Sequence, residues 1–350
     1  MAELKLLIVT QAVDLRNPVL GFFHSWIEKL AKHNEQVITI CLEKGKYHLP
    51  DNVKVLSLGK ETGASRLKYL WRFYKYLWQE RNNYNAVFVH MNQEYVLLAG
   101  WWWRLTGKVI TLWRNHHSGS WLTDLAAIFC HYIFCPSHYS YTAKYSKTVF
   151  MPVGIDTKLF QPLPEVTRLA DSILFLARIS PTKRPHLLIQ AARYLKQKGL
   201  NFSVSIYGAP QPADQQYYQS LRQQVSDYDL IDRVIFFPAL ANFDTPQIYS
   251  RHYLCANLSS SGMYDKTIFE AMACGCLSLS SNKNLFGRID SLLLYQENNL
   301  TDLTEKLTQL LRLDPTQAER LRYQSLNLVQ TEHSLDLLAK KLSQTITSSL

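Results

Sequence analysis

PVGIDTKLFQPLP (Pro152–Pro164) packs three prolines and one glycine into a short run. Proline supplies no backbone donor and glycine tolerates unusual backbone angles, so the stretch reads as a linker rather than as helix or strand. What it separates decides the fold. Upstream, apolar runs alternate with amphipathic helical patterns: LKLLIVT (Leu4–Thr10), FFHSWIEKLAKH, QVITICL, SRLKYLWRFYKYLWQERN, AVFVHM, YVLLAGWWWRLTG and KVITLW. Downstream the alternation restarts with SILFLAR, PHLLIQAARYLKQKG, FSVSIYG, QQYYQSLRQQV, RVIFFP, TPQIYSRHY, YLCANLS and a helix containing Glu270.

Alternating strands and helices imply a parallel sheet covered on both faces, and the restart implies two such domains rather than one long one. The expected class is therefore α/β, with two doubly wound Rossmann-like domains at residues 1–155 and 156–330 and a C-terminal helix at 331–350. That helix, amphipathic from Glu332, has a docking place the pattern does not fix; packing back on the first domain is one option. Ligands of two such domains are expected in the cleft at the carboxyl ends of their strands.

The 350 residues are 47% hydrophobic, enough for full cores and against disorder. There are 38 Lys and Arg against 28 Asp and Glu, a formal charge of +10 that implies an anionic partner: nucleic acid, an anionic membrane surface or a phosphate-bearing substrate. Cys41, Cys130, Cys135, Cys255, Cys274 and Cys276 lie mostly in apolar runs and read as buried thiols of a reducing compartment. They lack a second ligand pair at zinc spacing, so no metal site is expected. MAELKLLIVT is too short an apolar run for a signal peptide. VLLAGWWW stops at Arg104, far short of the ~18 residues of a membrane span. The expectation is a cytoplasmic protein, either soluble or peripheral on the inner face of the membrane.

Two stretches carry chemistry. LARISPTKRPH (Leu176–His186) puts Arg178 at the end of a strand and Lys183 in the first turn of the next helix, with Ser180 as cap and Pro181 at the first helical position. Alone, this is equally a basic helix start with solvated charges. SSSGMYDKTIFEAMACG (Ser259–Gly275) reads as a turn-rich loop followed by a helix with Asp265 at its N-cap and Glu270 in its first turns. A helix start favours anions, and an acid beside a phosphate-binding helix commonly accepts ribose hydroxyls, although a lone Glu there is also simply a favourable helix acid. The order, two cations first and the acid about ninety residues later, favours the functional reading.

Here a resemblance becomes specific. LARISPTKRPHLLIQAARYLKQKG resembles the Arg, Lys and following helix of the retaining GT-B glycosyltransferases of family 4. MPVGIDTKLF is similar to their interdomain P-x-G-I-D-x-x-x-F segment, and TIFEAMACG to the second half of their E-x7-E motif. The likeness covers most of the second domain and the first only weakly. It implies the GT-B fold and transfer of a sugar, with retention, from a nucleotide-diphosphate sugar to a glycan or lipid-linked acceptor. Arg178 and Lys183 would bind the diphosphate, Asp265, Lys266 and Thr267 would stand at the binding helix, Glu270 would hold the ribose, and no metal or cofactor is implied. One departure is that Gly262 stands eight residues before Glu270, where the family has its first, sugar-contacting glutamate; Asp265 with Lys266 is the nearest substitute, as in a D-K-x-x-x-E-A variant.

In the first domain, TLWRNHHSGSW places His116 and His117 just beyond a strand. The resemblance puts a histidine near the reacting sugar at this point, making His116 the first choice and His117 the alternate. Without that context such a histidine is more often a structural hydrogen-bonding group; His90 is a weaker candidate of the same kind. The loop QAVDLRNPVLG, with Gly21 as its only glycine, takes no assignment. SRLKYLWRFYKYLWQERNNY carries Arg66, Lys68, Arg72, Lys75 and Arg81 among aromatics, which suits an anionic membrane surface or, equally, a helix with one packed aromatic face.

Other classes fit less well. Gly107-Lys108 is followed by Val109, which excludes a P-loop, and no G-x-G-x-x-G occurs. Asp227-Tyr228-Asp229 resembles a metal-binding D-x-D but lies in a polar turn. A sugar-nucleotide isomerase on the same fold, or a non-catalytic basic protein binding membrane or nucleic acid, are the rival classes; nucleic acid is not the expected partner.

Overall fold

The computed structural model describes residues 3–350, and the chain divides into two compact units. One takes the chain up to Asp156 together with Ala241–Phe243 and Ser334–Leu350; the other takes Thr157–Leu240 and Asp244–His333.

The first unit runs β1 (Lys5–Val13), α1 (Phe22–Ala31), β2 (Gln36–Lys44), β3 (Val53–Ser57), α2 (Arg66–Glu80), β4 (Ala86–His90), α3 (Gln93–Leu105), β5 (Val109–Trp113), α4 (Trp121–Phe129), β6 (Tyr132–Cys135) and β7 (Thr148–Phe150). Its strands form one parallel sheet in the order β3-β2-β1-β4-β5-β6-β7. The period of two along a strand sorts its side chains between two cores. Leu6 and Ile8 of β1, with Ala86 and Phe88 of β4, join a core with Phe23, Trp26 and Ile27 of α1. Leu7, Val9, Val87 and Val89 join the opposite core with Phe73 and Leu77 of α2, Val96 and Trp103 of α3, and Ala126 of α4. Continuous apolar runs are what a sheet buried on both faces requires.

The second unit runs β8 (Leu169–Leu176), α5 (Pro185–Gln197), β9 (Ser203–Tyr207), α6 (Gln215–Asp227), β10 (Val234–Phe237), α7 (Thr245–Arg251), β11 (His252–Asn257), α8 (Lys266–Ala273), β12 (Leu277–Ser280), α9 (Leu300–Leu310) and α10 (Pro315–Glu332). The five strands are parallel in the order β10-β9-β8-β11-β12. β8 leads to β9 on one side and lies beside β11 on the other, so the connections leaving β8 and β11 diverge. Their carboxyl ends form the topological switch point where doubly wound sheets bind ligands.

Glu332, read from the sequence as the start of the last helix, ends α10 instead; α11 (Leu335–Thr347) follows, capped by Ser334, whose hydroxyl accepts from the Leu337 N–H at 3.4 Å. α11 packs on α1, burying Leu338, Leu342 and Ile346 in the same core as Trp26. Lys29 of α1 pairs with Asp336 at 2.5 Å. Between them lies Gly154, with φ +78°, whose carbonyl accepts the Trp26 indole N–H at 3.1 Å.

Candidate functional site

At the carboxyl end of β8 the chain passes through Arg178, which is exposed and has no hydrogen-bond or ion-pair partner among the described residues. Pro181–Lys183 form a single 3-10 turn rather than the start of the helix, and Arg184 takes the left-handed conformation, φ +55°, before α5 begins at Pro185. The steric restriction that proline places on the residue before it disfavours continuous helix across Arg184. Ser180 stands at the N-cap position of the turn but makes no capping bond; its hydroxyl lies 2.9 Å from that of Thr182.

The turn aims Lys183 across the switch point. Its ammonium forms an ion pair with Asp265 and donates to the Ser259 hydroxyl at 3.1 Å. The same Asp265 oxygen accepts from Ser259 Oγ at 2.8 Å and Asn257 Nδ2 at 3.2 Å, and Asn257 also donates to Thr267 Oγ1 at 2.9 Å. Asp265 occupies the N-cap of α8 without capping it, because its carboxylate is committed to Lys183. Burial pushes the Asp265 carboxyl up; the Lys183 charge and the hydrogen bonds from Lys183, Ser259 and Asn257 outweigh it and hold the group below its ordinary value.

The loop between β11 and α8 is held from several sides. Glu297 pairs with Arg184 at 3.0 Å and accepts from the Ser261 N–H at 3.3 Å. Ser261 donates to Ser281 O at 2.7 Å, and Asn282 donates to Met263 O at 2.7 Å. Gly262 sits at φ +127°, a backbone region that side-chain-bearing residues rarely enter. A cleft of about 820 Å³ opens beside this loop and touches the arrangement through Ser281 and Glu297.

Glu270 is the fifth residue of α8, so it lies in the second turn, and it is 3% exposed. Its carboxylate accepts from the Tyr249 hydroxyl of α7 at 3.2 Å. Burial, then the Glu270 charge, drives the Tyr249 hydroxyl well above its ordinary value and keeps it a donor. Lys266 and Thr267 are the first two residues of α8, both partly exposed.

In the first unit, His116 and His117 follow β5 with their rings stacked at 4.6 Å. His116 is half-buried: Nδ1 lies 3.0 Å from Ser118 O and 2.9 Å from Ser118 Oγ, which leaves Nε2 without a partner among the described residues. His117 is exposed. His90 belongs to the core rather than to a site: it is buried, stacks on Phe23 at 3.9 Å and lies 3.2 Å from Thr10 Oγ1. Asp229, in the D-Y-D turn, pairs with Lys196 at 2.6 Å. Among the described residues no group of three or more His, Cys, Asp and Glu side chains could hold a metal ion.

Sequence reasoning did not identify Asn257, Ser259, Arg184, Glu297 or Tyr249. The discernible signal was the polar exit of an otherwise apolar strand, since LCANLS turns polar where β11 meets the switch point.

Over its whole length the chain superposes on the Anabaena protein Alr3699/HepE, solved in complex with UDP and glucose: TM-score 0.79 and 17% identity, covering 99% of this chain and 100% of that one. Sucrose-phosphate synthase from Thermosynechococcus elongatus gives a TM-score of 0.74 at 16% identity over 97% and 98% of the two chains. The fold is GT-B. Within this GT-B chain, residues 169–327 match the family model of glycosyl transferases group 1, a span that runs from β8 to α10 and contains every site residue of the second unit. A curated relative, D-inositol 3-phosphate glycosyltransferase of Kineococcus radiotolerans, is 30% identical over 147 residues, which is 38% of this chain; the GT-B chain spans about a third of that relative, 34% of its length.

Proposed function

We propose that the chain transfers a sugar, with retention of anomeric configuration, from a nucleotide-diphosphate sugar to a glycan or lipid-linked acceptor. The observation that carries this reading is the pairing of Lys183 with Asp265 beside the unpartnered Arg178 at the switch point. The group 1 family match over the same residues supports it, as do relatives whose names specify glycosyl transfer and the UDP bound by HepE. In the reaction the bond between the anomeric carbon and the distal phosphate oxygen breaks, and one from that carbon to an acceptor hydroxyl oxygen forms. The departing nucleotide diphosphate gains the bonding electron pair and takes up the acceptor's proton. Arg178 and Lys183 meet the developing charge, with the positive end of the α8 dipole, where Lys266 and Thr267 stand, beside them. Asp265 orients Lys183, Glu270 accepts the ribose hydroxyls, and His116, or His117 as the alternate, is the histidine assigned to the reacting sugar.

Thermal unfolding in a panel of nucleoside diphosphates and their sugars tests the class and narrows the donor. At least one diphosphate should raise the Tm of the wild type; a flat panel would remove the proposal. Glu270→Ala should weaken that nucleotide by about 1.5–3 kcal/mol, the value of a hydrogen bond to a charged group. Equal nucleotide affinity in the variant would return Glu270 to a purely structural pairing with Tyr249.

Transfer is also expected to proceed without a divalent metal, because Arg178, Lys183 and the start of α8 supply the positive field that a metal provides in other sites. Rates should be unchanged in excess chelator. Loss of activity in chelator and recovery on adding magnesium or manganese would refute this.

A further inference from the structure

The helices on one face of the first sheet present an outer surface that the proposed donor chemistry does not use. Ten of the 22 exposed large apolar side chains among the described residues lie on α2, α3 and α4. On α2 they form a stripe at helical spacing: Leu67 (79% exposed), Trp71 (60%), Tyr74 and Trp78. α3 adds Trp101 and Leu105, and α4 adds Trp121 (71%), Leu125 and Ile128 at the same kind of spacing. The inward residues of all three helices feed one core, so these outward faces point away from one side of the sheet.

The three helices are bound into one layer. Tyr74 of α2 donates to Leu98 O of α3 at 2.9 Å, and the rings of Trp78 and Trp102 lie 6.0 Å apart. Arg104 of α3 donates to Phe129 O at the end of α4 at 2.7 Å, and Gly100 is so close to Phe129 that an added Cβ would lie 2.8 Å from its side chain. Charge accompanies the apolar stripe. α2 carries Arg66, Lys68, Arg72 and Lys75; its only acid, Glu80, is buried and paired with Lys54 at 2.7 Å. Arg66 and Lys68 are exposed and unpaired among the described residues, while Lys75 lies over Trp71 at 4.9 Å and Arg81 over Trp78 at 4.4 Å. On the neighbouring helices the acids are Glu94 and Asp124, and Lys144 neutralises Asp124 at 2.7 Å.

We infer that the α2–α3–α4 face docks on an anionic phospholipid surface. Tryptophan and tyrosine beside lysine and arginine are the composition of the headgroup boundary, where a ring needs an apolar depth and a wet edge together. A protein partner would instead select against lysine in the contact core. The attachment is peripheral, since no helix among the described residues is long and apolar enough to cross a membrane. The inference stands independently of the donor reading, because none of these residues belongs to the second unit.

Flotation of the full chain with vesicles of phosphatidylglycerol and phosphatidylcholine, and of phosphatidylcholine alone, at low and high salt, tests it. Wild type should float with the anionic vesicles at low salt and be released by high salt. A variant with Arg66→Gln, Lys68→Gln and Lys75→Gln should lose about fivefold per charge, on the order of a hundredfold in partitioning. A second, with Trp71→Ser, Trp78→Ser and Trp121→Ser, should lose binding while keeping its charge. Both should keep the wild type's cooperative thermal unfolding and far-UV circular dichroism, which shows that they are folded. Wild type left unbound by anionic vesicles at low salt, or either variant binding like wild type, would overturn the inference. So would a vesicle-free dimer that the tryptophan changes dissociate, which would make the face a contact between copies.

Discussion

Lys183→Ala should lower kcat/KM by about 10²–10³-fold, the usual loss when one preorganised group facing developing charge is removed. It should also lower stability by up to about 3 kcal/mol, because Asp265 would keep its charge with only Ser259 and Asn257 to answer it. The two effects separate in the double variant Lys183→Ala with Asp265→Asn, which removes the orphaned charge. Stability should largely return in the double variant and activity should not. Steady-state kinetics with the donor that gives the largest rise in Tm, alongside thermal unfolding, make the comparison. Recovery of rate in the double variant would mean that Lys183 serves only to neutralise Asp265. The pH dependence has a fixed sign: the Asp265 carboxyl is depressed in the folded chain, so the pair stabilises at neutral pH and its contribution falls away as pH drops through the folded value.

Gly154→Ala should destabilise the first unit by about 2–5 kcal/mol. A methyl group there would lie 2.4 Å from Leu338 Cδ2 and 2.8 Å from Trp26 Cζ2, on a backbone already at φ +78°. Left-handed backbone costs a side-chain-bearing residue about 1–2 kcal/mol, and overpacking a filled core about 1–3 more. The drop in Tm should be on the order of 10 °C for a unit of this size. Gly107→Ala is the control, because Gly107 has φ +68° with nothing within 4 Å of an added Cβ, so it incurs only the backbone cost. Equal losses at the two positions would show that the contact with α1 and α11 is not what excludes a side chain.

Much of the architecture was legible because apolar runs such as Leu6–Val9 must be buried on both faces of a sheet. What escaped notice included short pieces, such as β3, a half-buried edge strand, and β6, which follows α4 within one apolar run that period alone does not divide, and also the longer α9 and α10 beyond the Glu270 helix. Arg178, Lys183 and Asp265 were legible as residues, but the meeting of Lys183 with Asp265 was not. They are 82 positions apart, and their contact exists because β8 lies beside β11, a fact of sheet order that spacing along the chain does not contain. Local propensity misled at Ser180 and Asp265, where cap-type residues stand at cap positions yet turn their side chains to Thr182 and Lys183. His90, the weaker candidate of its kind, goes the structural way: a polar residue ending a strand, it stacks in the core on Phe23.

The place of α11 also has a consequence for how the protein is made. The strands of the first unit are complete at Phe150, yet Leu338 and Leu342, which seal one face of their sheet, come from the other end of the chain. At about 5–20 residues per second, a nascent chain would wait roughly 10 to 40 s between synthesis of β7 and synthesis of α11. Throughout that interval Trp26 and its neighbours lack their cover. The second unit, assembled from an almost unbroken stretch, can close first. A chaperone that recognises exposed apolar surface therefore has a defined window and a defined target: the α1 side of the first sheet, on ribosomes that have passed Phe150 but not yet released α11.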